Sequence, residues 1–229
     1  MALRHKQSVY NAFLMWQLFL DLFFPRRSLS GQEGEWITED EQSKLVAHPV
    51  IEETADLRRR GIYSLDRLVA ASTYANAPLL KKAIHTFKYV RIPSLDRELG
   101  NLLVRAIPTT EKTVVLCPVP LHWVRRFQRG FNQSDRLARS IALERGLPVL
   151  PLLKRFRWTG SQMKRTRTER LTGVANAFRC TTNCPLPHVV LIDDLSTTGA
   201  TLDACARALK LAGVQRVEGW VIAHDHRRD

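Results

Sequence analysis

The chain has 229 residues, of which 35 are Lys or Arg and 22 are Asp or Glu, so its formal net charge is +13 and its pI is near 10.2. A hydrophobic share of 45%, a charged share of 25% and only 11 Gly and 11 Pro exclude a largely disordered chain and collagen-like or other low-complexity chains. The positive charge leaves three classes of partner open, which are a nucleic acid, an anionic membrane surface and a phosphorylated small substrate.

The first 60 residues differ in character from the rest. Residues 9–24 place aromatic and aliphatic side chains at helical spacing, which predicts an amphipathic helix that ends at Pro25. This stretch is shorter than the ~20 residues that a bilayer span needs, so we expect no membrane span. Residues 26–60 are polar and charged. No small-residue cleavage site follows the apolar stretch, and the four Cys do not make a disulfide framework, so we expect a cytoplasmic protein with reduced thiols.

From about Leu65, short apolar runs alternate with amphipathic segments. The predicted elements are a strand over Leu68–Tyr74, helices over Pro78–Lys88 and Leu95–Ala106, a buried strand over Thr113–Pro118, a helix over Asn132–Glu144, a second buried strand over His188–Asp193, a helix over Ala200–Leu211 and a last strand over Val214–Ala223. This alternation predicts an α/β fold in which helices flank a parallel sheet and ligands bind at the carboxyl ends of the strands.

The most specific motif is the segment VVLIDDLSTTGAT over residues 189–201. A buried strand ends in Asp193 and Asp194, which can accept hydrogen bonds from vicinal ribose hydroxyls. The hydroxyl-rich turn that follows opens a helix, and backbone N–H groups at a helix N-terminus favour a phosphate. The predicted phosphate loop consists of Ser196, Thr197, Thr198, Gly199, Ala200 and Thr201. The alternative is an ordinary turn with a helix cap, and the absence of GxxxxGK[ST] excludes a Walker A loop.

Most of the positive charge lies in one window, residues 122–170. The window holds 13 Lys and Arg against three Asp and Glu, which is +10 of the +13, and it also holds five aromatic residues. Interleaved cations and aromatic rings are typical of single-stranded nucleic-acid binding, because charges follow the phosphates while rings stack on bases. A solvated basic face with aromatic core residues is the alternative for each aromatic taken alone. The candidate nucleic-acid residues are Arg125, Arg126, Arg129, Phe131, Arg155, Arg157 and Trp158.

Several motifs in the same order resemble the ComF family of competence and DNA-uptake proteins, which are similar to type I phosphoribosyltransferases. They are AIHTFKY (83–89), PVPLHW (118–123) with RGFNQ (129–133), RTER (167–170) with NAF (176–178), and the predicted phosphate loop. Together they cover roughly residues 65–225. The resemblance implies a phosphoribosyltransferase-like domain over residues 61–229, preceded by an appendage over residues 1–60.

The resemblance also implies a ligand, phosphoribosyl pyrophosphate (PRPP) with Mg²⁺. Asp193 and Asp194 would meet the ribose hydroxyls and the predicted phosphate loop would hold the 5′-phosphate. The turn at Pro118, Val119 and Pro120 would form the pyrophosphate loop. A basic hood that closes over PRPP would include Lys164, Arg165, Arg167 and Arg170.

ComF proteins typically carry a four-cysteine zinc module near the N-terminus, and this chain lacks its ligands. Ser28 with Ser30 or Gly31 stands where the first Cys pair would be, and Thr38 and Glu41 stand where the second would be. Hydroxyls and one carboxylate do not replace four thiolates for zinc, so we expect no bound zinc and a loose segment over residues 26–60. A zinc site at Cys180 and Cys184 is disfavoured because no second ligand pair follows.

The sequence around each histidine and around Trp220 indicates its expected environment. We expect His85 to be half-buried in a structural role, His224 and His226 to be exposed in a polar tail, and Trp220 to be in the core. For His122, beside the predicted pyrophosphate loop, a phosphate contact and a scaffold role are nearly balanced.

Three functions remain open from the sequence. The favoured one is a PRPP-binding protein that acts in DNA uptake, contacts single-stranded DNA and works with a helicase. The others are an active phosphoribosyltransferase with an unknown acceptor, and a regulatory module that binds PRPP or a nucleotide without turnover. No catalytic residue is assigned.

Overall fold

The computed structural model describes residues 28–33, 36–75, 77–89, 92–107, 113–121, 127, 129–156 and 177–225. The chain divides into two compact units, residues 1–44 and 45–229. This division precedes the predicted boundary at residues 60 and 61. The predicted helix over residues 9–24 lies outside the described residues.

The first unit contains a turn at Ser28–Gln32 and helix α1 (Glu39–Lys44). Thr38 caps this helix, since its Oγ1 accepts the Glu41 N–H at 3.2 Å and its own N–H donates to Glu41 Oε2 at 3.0 Å. The pair forms the reciprocal capping box that the spacing Thr-x-x-Glu favours. The Glu41 side chain is buried.

The second unit is built on a five-stranded sheet with the order β1-β2-β7-β6-β3. Its strands are β1 (Val50–Glu53), β2 (Arg67–Thr73), β3 (Val114–Pro118), β6 (His188–Ser196) and β7 (Arg216–His224). Strand β1 is antiparallel to β2, and all other neighbours are parallel. The interior strands β6 and β7 and the edge strand β3 are largely buried, which explains their continuous apolar runs.

Helices cover both faces of the sheet. Helix α4 (Pro93–Ala106) packs on β2 and β7, helix α5 (Gln133–Arg145) packs on β6 and β3, and the two helices contact each other. Helix α6 (Ala200–Leu211) packs with an antiparallel ribbon of β4 (Leu153–Arg155) and β5 (Phe178–Cys180), in a core shared with residues of β2, β6 and β7. Helix α2 (Thr54–Arg59) follows β1, and helix α3 (Pro78–Tyr89) follows β2.

The predicted α/β fold class is confirmed, and each strand and helix predicted after Leu65 is found within a few residues of its predicted ends. Strand β6 is longer than predicted, because it pairs with β7 as far as Ser196 and His224. For the described residues 28–33 and 36–60, the prediction of a loose segment is wrong. Residues 50–53 pair with β2, and the apolar side chain of Leu57 from α2 is buried against the sheet core. Within the described ranges, no helix is both long and apolar enough to cross a membrane.

Candidate functional site

The two acids predicted to bind ribose hydroxyls lie at the carboxyl end of β6. Asp193 Oδ1 accepts hydrogen bonds from the Ser134 hydroxyl at 3.0 Å and from the Asp194 N–H at 2.9 Å. Asp194 is buried, and its Oδ1 lies 3.2 Å from Lys88 Nζ. Burial and the neighbouring Asp194 charge raise the pKa of Asp193 to about 7. The pair therefore carries less than two full negative charges near neutral pH.

The predicted phosphate loop connects β6 to α6. Gly199 precedes the first residue of α6 with φ +80°, and a Cβ there would lie 3.1 Å from Ile62 Cδ1. The left-handed backbone therefore favours glycine here, and a Cβ would also require the Ile62 side chain to shift slightly. The Ser196 side chain is 3% exposed, and its Oγ has no hydrogen-bond partner among the described residues. Thr197, Thr198 and Thr201 are partly exposed, and Thr198 Oγ1 accepts the Ala200 N–H.

The turn predicted as the pyrophosphate loop lies beside the acids. Pro118 ends β3, and the Val119 N–H donates to the carbonyl of Ile192, one residue before Asp193, at 3.0 Å. The structure thus brings Pro118–Pro120, the acid pair and the predicted phosphate loop to one edge of the sheet. This is the edge at which parallel α/β sheets bind ligands.

The segment from Asn132 to Ser134 organises this edge. Asn132 caps α5 and donates from Nδ2 to the Val119 carbonyl at 3.1 Å, so it ties the β3 turn to the helix. Gln133 is 1% exposed and donates to the Lys88 carbonyl at 2.9 Å. Ser134 completes the chain of contacts at Asp193. An Asn before an amphipathic helix is a recognisable cap in sequence, whereas the contacts of Gln133, Ser134 and Lys88 join segments far apart in the chain and leave no local signal.

Three of the predicted nucleic-acid residues are described, and they have different surroundings. The Arg129 guanidinium lies 5.5 Å from the ring of Tyr89, which is 63% exposed. Phe131 is half-buried beneath Arg136, and Arg155 lies 5.2 Å from the buried ring of Phe178. The structure does not gather these three around one exposed aromatic. Arg125, Arg126, Arg157, Trp158 and the predicted hood residues Lys164, Arg165, Arg167 and Arg170 lie outside the described residues, as do His122 and His226.

Several cations of the basic window have intramolecular partners. Arg136 forms an ion pair with Asp96 of α4, and Arg145 donates to the Val104 carbonyl at 2.7 Å. Arg139 pairs with Asp135 one turn away at 3.0 Å. Part of the +10 therefore stabilises the packing of α5 and is not surplus charge. Lys154 of the ribbon, by contrast, is exposed.

Two of the histidine predictions are wrong. His85 is exposed, with its ring 5.0 Å from that of Tyr89, because it lies on the solvent side of α3. His224 is fully buried, because β7 extends to this residue and pairs it with Ser196. The prediction for Trp220 is confirmed, since the residue is 2% exposed.

Comparison with known proteins identifies the family. The chain is 30% identical over 170 residues to competence protein F from Haemophilus influenzae, a match that covers 70% of this chain and 73% of that protein. It is 32% identical over 165 residues to the DNA utilization protein YhgH from Escherichia coli K12, covering 68% and 71%. The chain belongs to the ComF family. The predicted resemblance is therefore confirmed. The chain is also 30% identical to competence protein ComFC from Bacillus subtilis, over 60% of this chain and 56% of that protein.

Other comparisons add less. No protein-family model matches the chain. Among solved structures, the glutamine phosphoribosylpyrophosphate amidotransferase from Bacillus subtilis, complexed with ADP and GMP, is 21% identical with a TM-score of 0.41, covering 60% of this chain and 30% of that one.

Proposed function

We propose that this ComF protein binds PRPP with Mg²⁺ at the carboxyl edge of its sheet and acts in competence-related DNA uptake by contacting single-stranded DNA. The observation that carries the ligand proposal is the convergence of Asp193, Asp194 and the predicted phosphate loop on one strand end. A glycine held in the left-handed region opens α6 at that point. The names of the relatives, competence and DNA utilization proteins, support the cellular process.

The ribose half of the proposal rests on the electrostatics of the acid pair. Two adjacent carboxylates at a strand end are costly unless cations or hydroxyl donors approach them, and the raised pKa of Asp193 expresses this cost. Lys88 offsets part of the charge at Asp194. Vicinal hydroxyls of a ribose would supply further donors, so binding of the sugar relieves a repulsion already present in the free protein.

The phosphate half rests on the loop and the helix that it opens. Backbone N–H groups at the N-terminus of α6 carry partial positive charge that favours an anion. The buried Ser196 hydroxyl has no hydrogen-bond partner among the described residues, and the threonines at positions 197 and 198 follow it directly. These donors suit a phosphomonoester.

Magnesium fits this site only together with the ligand. Among the described residues, no group of three or more acids, histidines or cysteines is arranged to hold a metal ion. Mg²⁺ is commonly held by one or two carboxylates plus substrate phosphates, and Asp193 and Asp194 would provide the protein share. Bound there, the ion would neutralise charge on the diphosphate.

The single-stranded DNA proposal is best supported at the β4–β5 ribbon. Phe156, at the end of β4, is 61% exposed, and the Arg179 guanidinium of β5 lies 5.6 Å from its ring. Lys154 pairs across the ribbon with Arg179 and is also exposed. An exposed ring with cations beside it matches a base-stacking platform that follows the phosphates.

Calorimetry with PRPP and Mg²⁺ tests the ligand proposal. We expect the wild type to bind, and an Asp193→Asn, Asp194→Asn double variant to bind at least about tenfold more weakly, since charged hydrogen bonds contribute about 1.5–3 kcal/mol each. Asp135→Asn, which changes an exposed carboxylate on α5, is the matched control. No heat of binding in the wild type would reject the proposal.

Diphosphate release separates the two alternatives. An active phosphoribosyltransferase would release diphosphate from PRPP when a cytosolic small-molecule extract supplies acceptors, whereas a sensing module would bind PRPP and leave it intact. Because no catalytic residue is assigned, the active transferase and the sensing module both remain alternatives to the DNA-uptake role.

Binding to a fluorescent oligothymidylate tests the DNA proposal. We expect Phe156→Ala to weaken binding by about 1–3 kcal/mol and Arg179→Gln to lower the slope of affinity against salt. Leu143→Ala and Arg139→Gln, at an exposed apolar residue and an exposed cation of α5, are the matched controls. Equal losses in test and control variants would place any DNA contact elsewhere on the chain.

A further inference from the structure

Three polar side chains, two of them buried and one mostly buried, meet beside the predicted phosphate loop. They are Glu52 from β1, Arg60 directly after α2, and His224 at the end of β7. His224 is fully buried, and the side chains of Arg60 and Glu52 are 13% and 9% exposed. Arg60 pairs with Glu52 through Nη1, which also lies 3.1 Å from His224 Nε2, and that nitrogen is 3.5 Å from Glu52 Oε1.

The cluster contacts the loop through two consecutive carbonyl groups. His224 Nδ1 lies 2.9 Å from the Ser196 carbonyl oxygen, and Arg60 Nη2 lies 3.2 Å from that of Thr197. A carbonyl oxygen only accepts, so Nδ1 of His224 carries a proton and both contacts donate to the loop. The N–H of Asp225 also donates to the Ser196 carbonyl, at 2.8 Å.

The orientation of these carbonyls fixes the orientation of the amides that follow them. In a trans peptide the C=O of one residue and the N–H of the next share a plane and point in opposite directions. Holding the Ser196 and Thr197 carbonyls against the cluster therefore turns the N–H groups of Thr197 and Thr198 away from it. Successive N–H groups on one side of a turn form an anion-binding concavity.

We propose that the Glu52–Arg60–His224 cluster positions the predicted phosphate loop, so that the amides of Thr197 and Thr198 are held ready for an anionic ligand. This inference rests on the proposed function in taking the loop as the phosphate site. Arg60 and His224 act through the loop backbone and are positioning residues, while Glu52 supplies the counter-charge that lets Arg60 be buried.

Glu52 keeps its charge in this setting. Burial raises the pKa of Glu52, but the contacts with His224 and Arg60 outweigh burial and hold that pKa below its ordinary value. An ionised Glu52 keeps the Arg60 guanidinium in place. Through Arg60 and its partner Glu52, the short polar segment of β1 and α2 therefore contacts the predicted phosphate loop.

The alternative is that the cluster only fastens β1 and α2 to the sheet. Arg60→Lys separates the two roles, because lysine keeps the charge but lacks the fork that reaches Glu52 and the Thr197 carbonyl together. Arg59→Lys is the matched control, since Arg59 is the preceding residue and is 77% exposed. The probes are PRPP with Mg²⁺ by calorimetry, and amide hydrogen exchange in the free protein.

We expect Arg60→Lys to weaken PRPP binding at least about tenfold and to speed exchange at Thr197 and Thr198. Exchange in the β6–β7 ladder, at Val190 and Val221, should stay at the wild-type rate, which a general loss of stability would not allow. Wild-type affinity with unchanged loop exchange would overturn the inference. If the wild type binds no PRPP, the proposed function fails, and the exchange at Thr197 and Thr198 then decides the inference alone.

A second pair of variants covers the case in which Arg60→Lys does not fold. The amide nitrogen of asparagine occupies nearly the position of Nδ1 in histidine, so His224→Asn preserves the donor to the Ser196 carbonyl. His224→Leu removes that donor and keeps similar volume. Loop exchange and PRPP affinity near wild type in the Asn variant, with both impaired in the Leu variant, would support positioning, and equal behaviour of the two variants would contradict it.

Discussion

Glu41 in the first unit and Asp193 in the second are both enclosed carboxylates, yet their surroundings differ in kind. Glu41 accepts hydrogen bonds from the Ser28 hydroxyl at 3.0 Å and from the N–H groups of Ser30 and Thr38. Burial raises the pKa of Glu41, but these hydrogen bonds outweigh burial and hold the pKa below its ordinary value. The negative charge of Glu41 is thus stabilised by donors within the first unit.

Among the described residues, the Ser134 hydroxyl and the Asp194 N–H donate to Asp193, and both contact the same oxygen. A second carboxylate stands next to it, and the pKa of Asp193 rises to about 7. The difference teaches how to tell a structural carboxylate from a candidate ligand-binding one. The structural carboxylate has its donors already in place, whereas a carboxylate in an unfavourable environment is a candidate for binding a ligand.

The largest expected effect on stability comes from removing the negative charge of Asp193. With an ordinary pKa of 3.8 and a folded pKa of about 7, Asp193 binds more protons in the folded than in the unfolded state between these pH values. Stability therefore falls as pH rises through this window and levels off above it. Asp193→Asn removes this fall, so we expect the variant to be more stable than wild type at pH 8 by about 2–4 kcal/mol, measured by chemical denaturation.

The same denaturation series at pH 5 provides the internal check. At that pH the wild-type carboxyl is already mostly protonated, so the advantage of Asp193→Asn should shrink. Asp135→Asn, which changes a partly exposed carboxylate of α5, is the control variant for this series. A variant that gains nothing at pH 8 would break the contrast with Glu41.

The opposite sign is expected at Glu41. Glu41→Gln places an NH₂ group against N–H or O–H donors that the carboxylate accepted, which we expect to destabilise the segment 28–44 by about 2 kcal/mol. Amide exchange at Ser30 and Thr38 measures this locally. Because the folded pKa of Glu41 is lowered, its stabilisation is present above its ordinary pKa of 4.5 and is lost as pH falls through the lower folded value.

Glu39→Gln in the exposed first turn of the same helix is the control for that variant. The network also bears on the expectation of no zinc at Ser28, Ser30, Thr38 and Glu41, since these residues use their polar atoms on one another. We expect added Zn²⁺ to leave the amide exchange unchanged. Slower exchange with zinc, or stoichiometric zinc in the purified protein by elemental analysis, would contradict this expectation.

The same contrast explains what could be predicted from sequence. Continuous apolar runs such as HVVLID made the central strands predictable, and the acid pair with its hydroxyl-rich turn made the candidate site predictable. Residues 26–60 were misjudged because the absence of metal ligands was taken as absence of order. The Thr-x-x-Glu spacing from Thr38 to Glu41 is a local signal for a helix start. This signal was overlooked because residues 28–41 were considered only as a zinc module that has lost its cysteines.

Other parts of the site had no local signal. Glu52, Arg60 and His224 stand among other charged residues, and His224 lies far from the other two in the sequence. The pairing of β1 with β2 and of β2 with β7 places Glu52 and His224 in the same sheet. For a related reason, the charge count of residues 122–170 does not show which cations have partners within the protein. That Arg136 pairs with Asp96 depends on the packing of α5 against α4, which charge counting does not reveal.

A pair of glycines extends the comparison to the backbone. Gly31 in the first unit and Gly199 in the second both have positive φ, +100° and +80°. A Cβ at Gly31 would meet no atom of the described residues within 4 Å, whereas one at Gly199 would meet Ile62. We expect Gly31→Ala to cost only the backbone term of about 1 kcal/mol, and Gly199→Ala to cost about 1–2 kcal/mol because crowding is added. Denaturation of the second unit and amide exchange in the first measure the two.

Ile62→Val in the Gly199→Ala background tests the source of the added cost. Because valine lacks the Cδ1 methyl, the double variant should regain the stability lost to crowding. The stability lost to the left-handed backbone should remain lost. If the double variant recovers nothing, the left-handed backbone alone accounts for glycine at the start of α6.

The smallest expected effect concerns the Ser134 hydroxyl, which donates a hydrogen bond to Asp193. Ser134→Ala removes a hydrogen bond that is stronger to the ionised than to the protonated carboxyl, so it should raise the pKa of Asp193 further. We therefore expect the variant to lose about 1 kcal/mol more stability at pH 8 than at pH 5. Ser140→Ala, on the same helix, should lose the same amount at both pH values. An equal loss for Ser134→Ala at the two pH values would mean that Asp193 does not titrate in this range, and it would then resemble Glu41.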